Sequence, residues 1–113
     1  MKTRSAKAKG RRLQQFVVTL LQSMTGFGSS DIKSTPMGTN GPDLWLSSEA
    51  KNKIPLTFEC KNTEKLNIWK AIAQAEENRE PNTDACVVFS RNHSDVYVAI
   101  PITLLVRLLH ERK

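Results

Sequence analysis

Leu13, Phe16, Val17, Leu20, Leu21 and Met24 recur at i, i+3, i+4, i+7, i+8 and i+11. That spacing places one apolar stripe on an α-helix and predicts a helix over residues 5–24. Residues 1–6 carry no stripe and are expected to form a flexible basic tail. Residues 25–41 contain Gly26, Gly28, Pro36, Gly38 and Gly41. So many turn formers predict a loop, and a loop this long in a small domain is usually functional or mobile. Its Asp31, Lys33 and Ser34 either touch a substrate or are simply solvated. A short strand is expected over residues 43–46, a helical turn or insertion over 47–53, and a second strand over 56–61. Residues 66–79 read as a helix with Ile68, Trp69, Ile72 and Ala75 on one side and Asn67, Lys70, Gln74 and Asn78 on another. Trp45 and Trp69 follow the apolar pattern and are expected in the core. Pro81-Asn82-Thr83-Asp84 breaks the chain before a buried strand over 85–90. A hairpin-like turn at 91–94 leads into a strand over 96–100. Pro101 suits the first turn of a last helix with Ile102, Leu105, Leu108 and Leu109 on one face. Covering its own sheet is the default role of that face; covering a partner is the alternative.

The expected order is αββαββα, an α/β fold with a mixed central β-sheet flanked by helices. Periodicity alone does not select one topology for it. At 113 residues the chain is expected to be a single domain, 1–113, with one modest core. No stretch approaches the roughly 20 apolar residues of a membrane span, and no signal peptide is read at the N-terminus. Cys60 and Cys86 both sit in apolar strand-like runs. Two buried free thiols in a reducing, intracellular compartment are expected, rather than a disulfide or a zinc site.

The charge of +6 changes the picture through its distribution. Lys2, Arg4, Lys7, Lys9, Arg11 and Arg12 precede every acidic residue, and the remaining eleven basic residues are matched by eleven acidic ones. A local positive block of this kind is the footprint of a phosphate backbone, set against the plainer reading of a solvated tail. His93 and His110 are expected to be ordinary exposed histidines.

The candidate chemistry lies in Pro42-Asp43 and Glu59-Cys60-Lys61. Strand side chains alternate between faces, so Glu59 and Lys61 project together while Phe58 and Cys60 project the other way. A charge inside a hydrophobic strand needs a partner, a metal or an exposed face. Two carboxylates and an amine on neighbouring strands suit a divalent-metal phosphodiesterase site. The structural alternatives are a turn role for Asp43 after Gly-Pro and a Glu59–Lys61 salt bridge.

Pro42-Asp43, spacer, Glu59-x-Lys61 resembles the signature of the PD-(D/E)XK nuclease superfamily over roughly residues 7 to 100. With Lys9-Gly10-Arg11-Arg12, the small chain is most similar to its phage-encoded and Holliday-junction-resolvase-type branches. The resemblance implies a restriction-endonuclease-like fold and a Mg²⁺- or Mn²⁺-dependent endodeoxyribonuclease acting on duplex or branched DNA. It implies Asp43 and Glu59 as metal ligands, Lys61 as transition-state support, and a 5′-phosphate and 3′-hydroxyl as products. Resolvase-type members carry a site glutamate on the first helix. Counting from Lys9-Gly10, the matching position is Gln14, which supplies no charge. Gln74 matches a site glutamine found on the next helix in some branches. Lys7, Lys9, Arg11, Arg12, Lys33, Asn62 and Gln74 are candidate DNA contacts. A junction cutter needs two sites, so a homodimer is expected. The main rival is a DNA-binding module that keeps the nuclease fold without catalysis; a second is a small structural or assembly protein with a basic tail.

Overall fold

The structure, a computed structural model, describes residues 4–36 and 38–112. A long helix α1 (Arg4–Thr25) is followed by strands β1 (Ile32–Ser34) and β2 (Leu44–Leu46), and then by a short helix α2 (Ser48–Lys53). Strand β3 (Leu56–Asn62), helix α3 (Ile68–Glu77), strands β4 (Asp84–Ser90) and β5 (Tyr97–Ala99), and helix α4 (Ile102–Glu111) complete the chain. β3 and β4 run parallel, with Glu59 opposite Val87, and β5 joins β4 antiparallel. β1 and β2 form a separate antiparallel pair. One backbone bond, from Asp43 N to Phe58 O at 3.1 Å, ties the start of β2 to β3.

The α/β class and a mixed sheet with flanking helices are those expected, but the strand expected over 43–46 pairs with β1 instead of joining the central sheet. Alternation along β3 and β4 sends Phe58, Cys60, Cys86 and Val88 into a core shared with α1, β1 and β2. The opposite face sends Ala85 and Val87 against Ala71 and Ala75 of α3. Small alanines there let the helix approach the sheet closely. Cys60 and Cys86 are buried free thiols. Ser47 caps α2, its Oγ accepting from Ala50 N, and Asn67 caps α3 by accepting from Lys70 N.

Several expectations are corrected. The 25–41 connection contains β1 and the turn at 47–53 is the helix α2, so the observed order is αββαβαββα rather than αββαββα. β1 is only three residues long and carries one apolar anchor, fully buried Ile32 opposite Leu46. That is too short to leave a period in the sequence. Residues 4–6 belong to α1 instead of a flexible tail; the expectation for residues 1–3 lies outside the described residues. The buried arc of α1 is Leu13, Gln14, Val17, Val18 and Leu21. Gln14 therefore lies within the packed face, while Phe16, Leu20 and Met24 of the expected apolar stripe are exposed. Neither tryptophan is core: Trp69 is 77% exposed, and Trp45 is on the outward side of β2. α4 buries only Leu104, so its apolar face does not cover the sheet as expected. Among the described residues, no helix is long and apolar enough to cross a membrane.

Candidate active site

Asp43 is fixed by its backbone before its side chain acts. Gly41 takes a φ of 100°, a left-handed turn open to glycine, and Pro42 stiffens the next step. Thr35 then clamps the returning strand. Its N–H donates to Asp43 O at 2.9 Å, and its hydroxyl lies 3.0 Å from both Pro42 O and Asp43 O. The Asp43 carboxylate accepts from Cys60 N at 2.7 Å. This bond holds the first carboxylate against β3, beside the residue that carries the second.

Glu59 is 2% exposed, in the middle of β3. Asn78 Nδ2 donates to its Oε1 at 3.3 Å and also reaches Gly41 O at 3.4 Å. Burial pushes the Glu59 carboxyl up from 4.5 to about 7, helped by the charge of Asp43 and by a hydrogen bond between the two carboxyl groups. The Asn78 bond and the Lys61 charge act in the opposite direction and are outweighed. Near neutral pH Glu59 thus keeps its proton in part of the molecules in the absence of a cation. Among the described residues neither Glu59 nor Lys61 takes part in an ion pair, which disposes of the Glu59–Lys61 salt bridge considered as a structural alternative.

Asp43, Glu59, Lys61 and Gln14 line one cavity of 210 Å³, together with Asn62 and Gln74. Ala6, Gly10 and Gln14, spaced four residues apart along α1, form one wall. Gln14 is 4% exposed. Asn62 Oδ1 is buried in the structure without a hydrogen-bond partner, an acceptor that a bound water or ligand donor would satisfy. A second depression of 420 Å³ reaches Asp43 and Glu59 from the side of Asn40, Gln74 and Asn78. Among the described residues no three His, Cys, Asp or Glu side chains cluster as a metal cage. The donor set is two carboxylates and the Gln14 amide. That set fits Mg²⁺, which keeps several waters and takes one or two carboxylates.

Of the remaining candidates, Lys7, Arg11 and Arg12 are exposed along α1, Lys9 is half-buried, and none of the four lines the cavity. Lys33 sits 4.9 Å over the Trp45 ring. Asp31 accepts from Ser47 Oγ at 2.6 Å, a structural role for a residue weighed as a substrate contact. His93 is exposed at a positive φ of 61°, and His110 is exposed on α4. The thiols are poor nucleophiles: Cys60 is raised by burial and by the nearby carboxylates, and Cys86 is pushed up to about 11 by burial.

Two partners escaped the sequence reading. Asn78 stood in the polar line of α3 without a role, although its four-residue spacing from Gln74 marks a shared face. The Cys60 N–H leaves no sequence signal. No family model, curated protein or solved structure matches the chain.

Proposed function

We propose that the protein is a metal-dependent endodeoxyribonuclease with a restriction-endonuclease-like fold, acting on duplex or branched DNA. The observation that carries this reading is the carboxyl pair. Glu59 is buried against Asp43 with no ion-pair partner among the described residues, and Lys61 lines the same cavity. Burying two acidic groups together costs stability unless something positive joins them. Asp43 and Glu59 would hold Mg²⁺ or Mn²⁺, with Gln14 supplying a neutral oxygen. When bound, such a cation withdraws charge from the phosphate and acidifies water. Lys61 supplies a positive charge as the phosphorus becomes five-coordinate. Water adds to phosphorus and the P–O3′ bond breaks, leaving a 5′-phosphate and a 3′-hydroxyl. Asn62 and Gln74 contact the substrate backbone at the cavity mouth. The exposed basic residues of α1 bind neighbouring phosphates.

The test is cleavage of plasmid and four-way-junction DNA with and without Mg²⁺, by the wild type and by Lys61→Ala. Cleavage that requires both the cation and Lys61 supports the reading. Metal-independent or Lys61-independent cleavage contradicts it.

One observation favours a second reading, a DNA-binding module with the nuclease fold and no catalysis. Position 14 is a buried neutral amide, so the cavity has two carboxylates and not three. DNA binding without cleavage in Mg²⁺ or Mn²⁺ would select it.

A further inference from the structure

We infer that two copies of this chain associate through α4, the helix of each copy seating in an apolar groove of the other. α4 has far more apolar surface than its own body uses. At 100° per residue, Ile102, Leu104, Leu105, Val106, Leu108 and Leu109 sweep roughly 200° of its circumference, about twice the usual surface-helix stripe. Only Leu104, at one edge of that sweep, is buried, and neighbouring Arg107 ties the same edge to Asp84 at 2.7 Å. Ile102, Val106 and Leu109 are 69%, 58% and 58% exposed.

The acceptor is on the same chain. Phe16, Leu20 and Met24 form one wall of a groove of 890 Å³, Leu104 and Leu108 of α4 form another, β5 contributes Tyr97 and Val98, and Phe58 of the sheet lies in its lining; the partner's helix seats beside this chain's α4. Among the described residues, Asp95 is the sole charged one in this lining. Without Lys or Arg, the groove fits neither a phosphate backbone nor an anionic lipid surface. The polar side of α4 carries Thr103, Arg107, His110 and Glu111, a mixed set and not the Lys- and Arg-rich face of a membrane-surface helix.

The extent of the surface matches a second copy. Phe16, Leu20, Met24, β5 and α4 leave large apolar side chains 41–69% exposed. With aromatic side chains burying roughly 150–250 Å² each and aliphatic ones somewhat less, this surface is on the order of 800 Å². That exceeds the usual largest patch of a monomer, about 300–600 Å², and equals the share, about 800 Å², that each partner gives a standard interface. A chain carrying both the exposed apolar side of α4 and the groove that α4 helps to line meets the self-complementarity of a two-fold dimer. That the dimer pairs two cleavage sites rests on the nuclease reading; the interface itself does not.

Sedimentation or light scattering of the full chain at micromolar concentration tests this. The expected mass is twice 12.7 kDa. Leu109→Glu, on the projecting helix, and Leu20→Glu, on the groove wall, each halve it while leaving the circular dichroism unchanged. Trp69→Ala, on α3 outside the groove, leaves the dimer intact. Both glutamates replace exposed side chains, so neither perturbs the monomer core. A monomeric wild type overturns the proposal, as does a dimer that survives both substitutions. A monomer captured by phosphatidylcholine vesicles also overturns it, in favour of a lipid surface. Mass is read without DNA, so loss of the dimer and loss of nuclease activity are separate outcomes.

Discussion

Replacing Glu59 by Gln should stabilise the protein at alkaline pH and leave it unchanged in acid. Glu59 sits near 4.5 when exposed and near 7 in the fold. Below the first value it is protonated in both states and contributes no pH dependence. Between the two values the unfolded chain releases its proton while the folded chain keeps it. Stability then falls by about 1.4 kcal/mol per pH unit, reaching a loss of about 3 kcal/mol above pH 7. A glutamine side chain has nearly the same shape and never ionises, so the Glu59→Gln variant escapes that loss. Urea unfolding with chelator present, from pH 4.5 to 8.5, is the assay. The variant should match the wild type at the acid end and exceed it by about 3 kcal/mol at the alkaline end. Adding Mn²⁺ at pH 8 should restore much of the wild-type deficit, because a cation then takes the place of the proton, and should do little for the variant. Two stability curves separated by the same amount at every pH would refute the reasoning.

The other predictions concern binding and catalysis. Glu59→Gln and Lys61→Ala should each abolish cleavage while gel-shift affinity for DNA stays near wild type; wild-type cutting by both would remove them from the chemistry. Neutralising exposed Arg4, Lys7 and Arg11 together should weaken DNA binding across sequences and flatten its salt dependence by about 0.9 log unit per lost duplex phosphate contact. An unchanged slope would make the basic face of α1 a bystander. Gln14→Glu should tighten Mn²⁺ binding in calorimetry by adding a third carboxylate, although its burial offsets part of the gain. Gln15→Ala, on the exposed side of α1, should change nothing, and equal affinities for both variants would take α1 out of the site.

Where an element has a strong period, its existence and type were legible in the sequence. β3, β4, α3 and the polar pair Glu59 and Lys61 followed from alternation and from helical spacing. Gln14 was a candidate only through the nuclease resemblance, and its burial was not legible. The apolar stripe from Leu13 to Met24 is wider than the surface α1 packs on, and a stripe does not reveal which of its edges is covered. β1 was hidden because three residues carry no period, and the anchoring of Ile32 appears only once Leu46 is opposite. The Asp43–Cys60 bond uses a backbone amide, which every residue but proline possesses. Trp69 and α4 follow apolar patterns yet face outward, because periodicity measures amphipathicity and says nothing of which body the face meets.

The most direct measurement is anomalous diffraction from a crystal soaked in Mn²⁺. The account predicts one strong peak between the carboxylates of Asp43 and Glu59, at ligand distances of roughly 2.1–2.2 Å, close to those of Mg²⁺, and no such peak in Glu59→Gln. A clean map at Asp43 and Glu59, at a pH above 7 where Glu59 is ionised, would contradict the claim that this pair is built to hold a divalent cation.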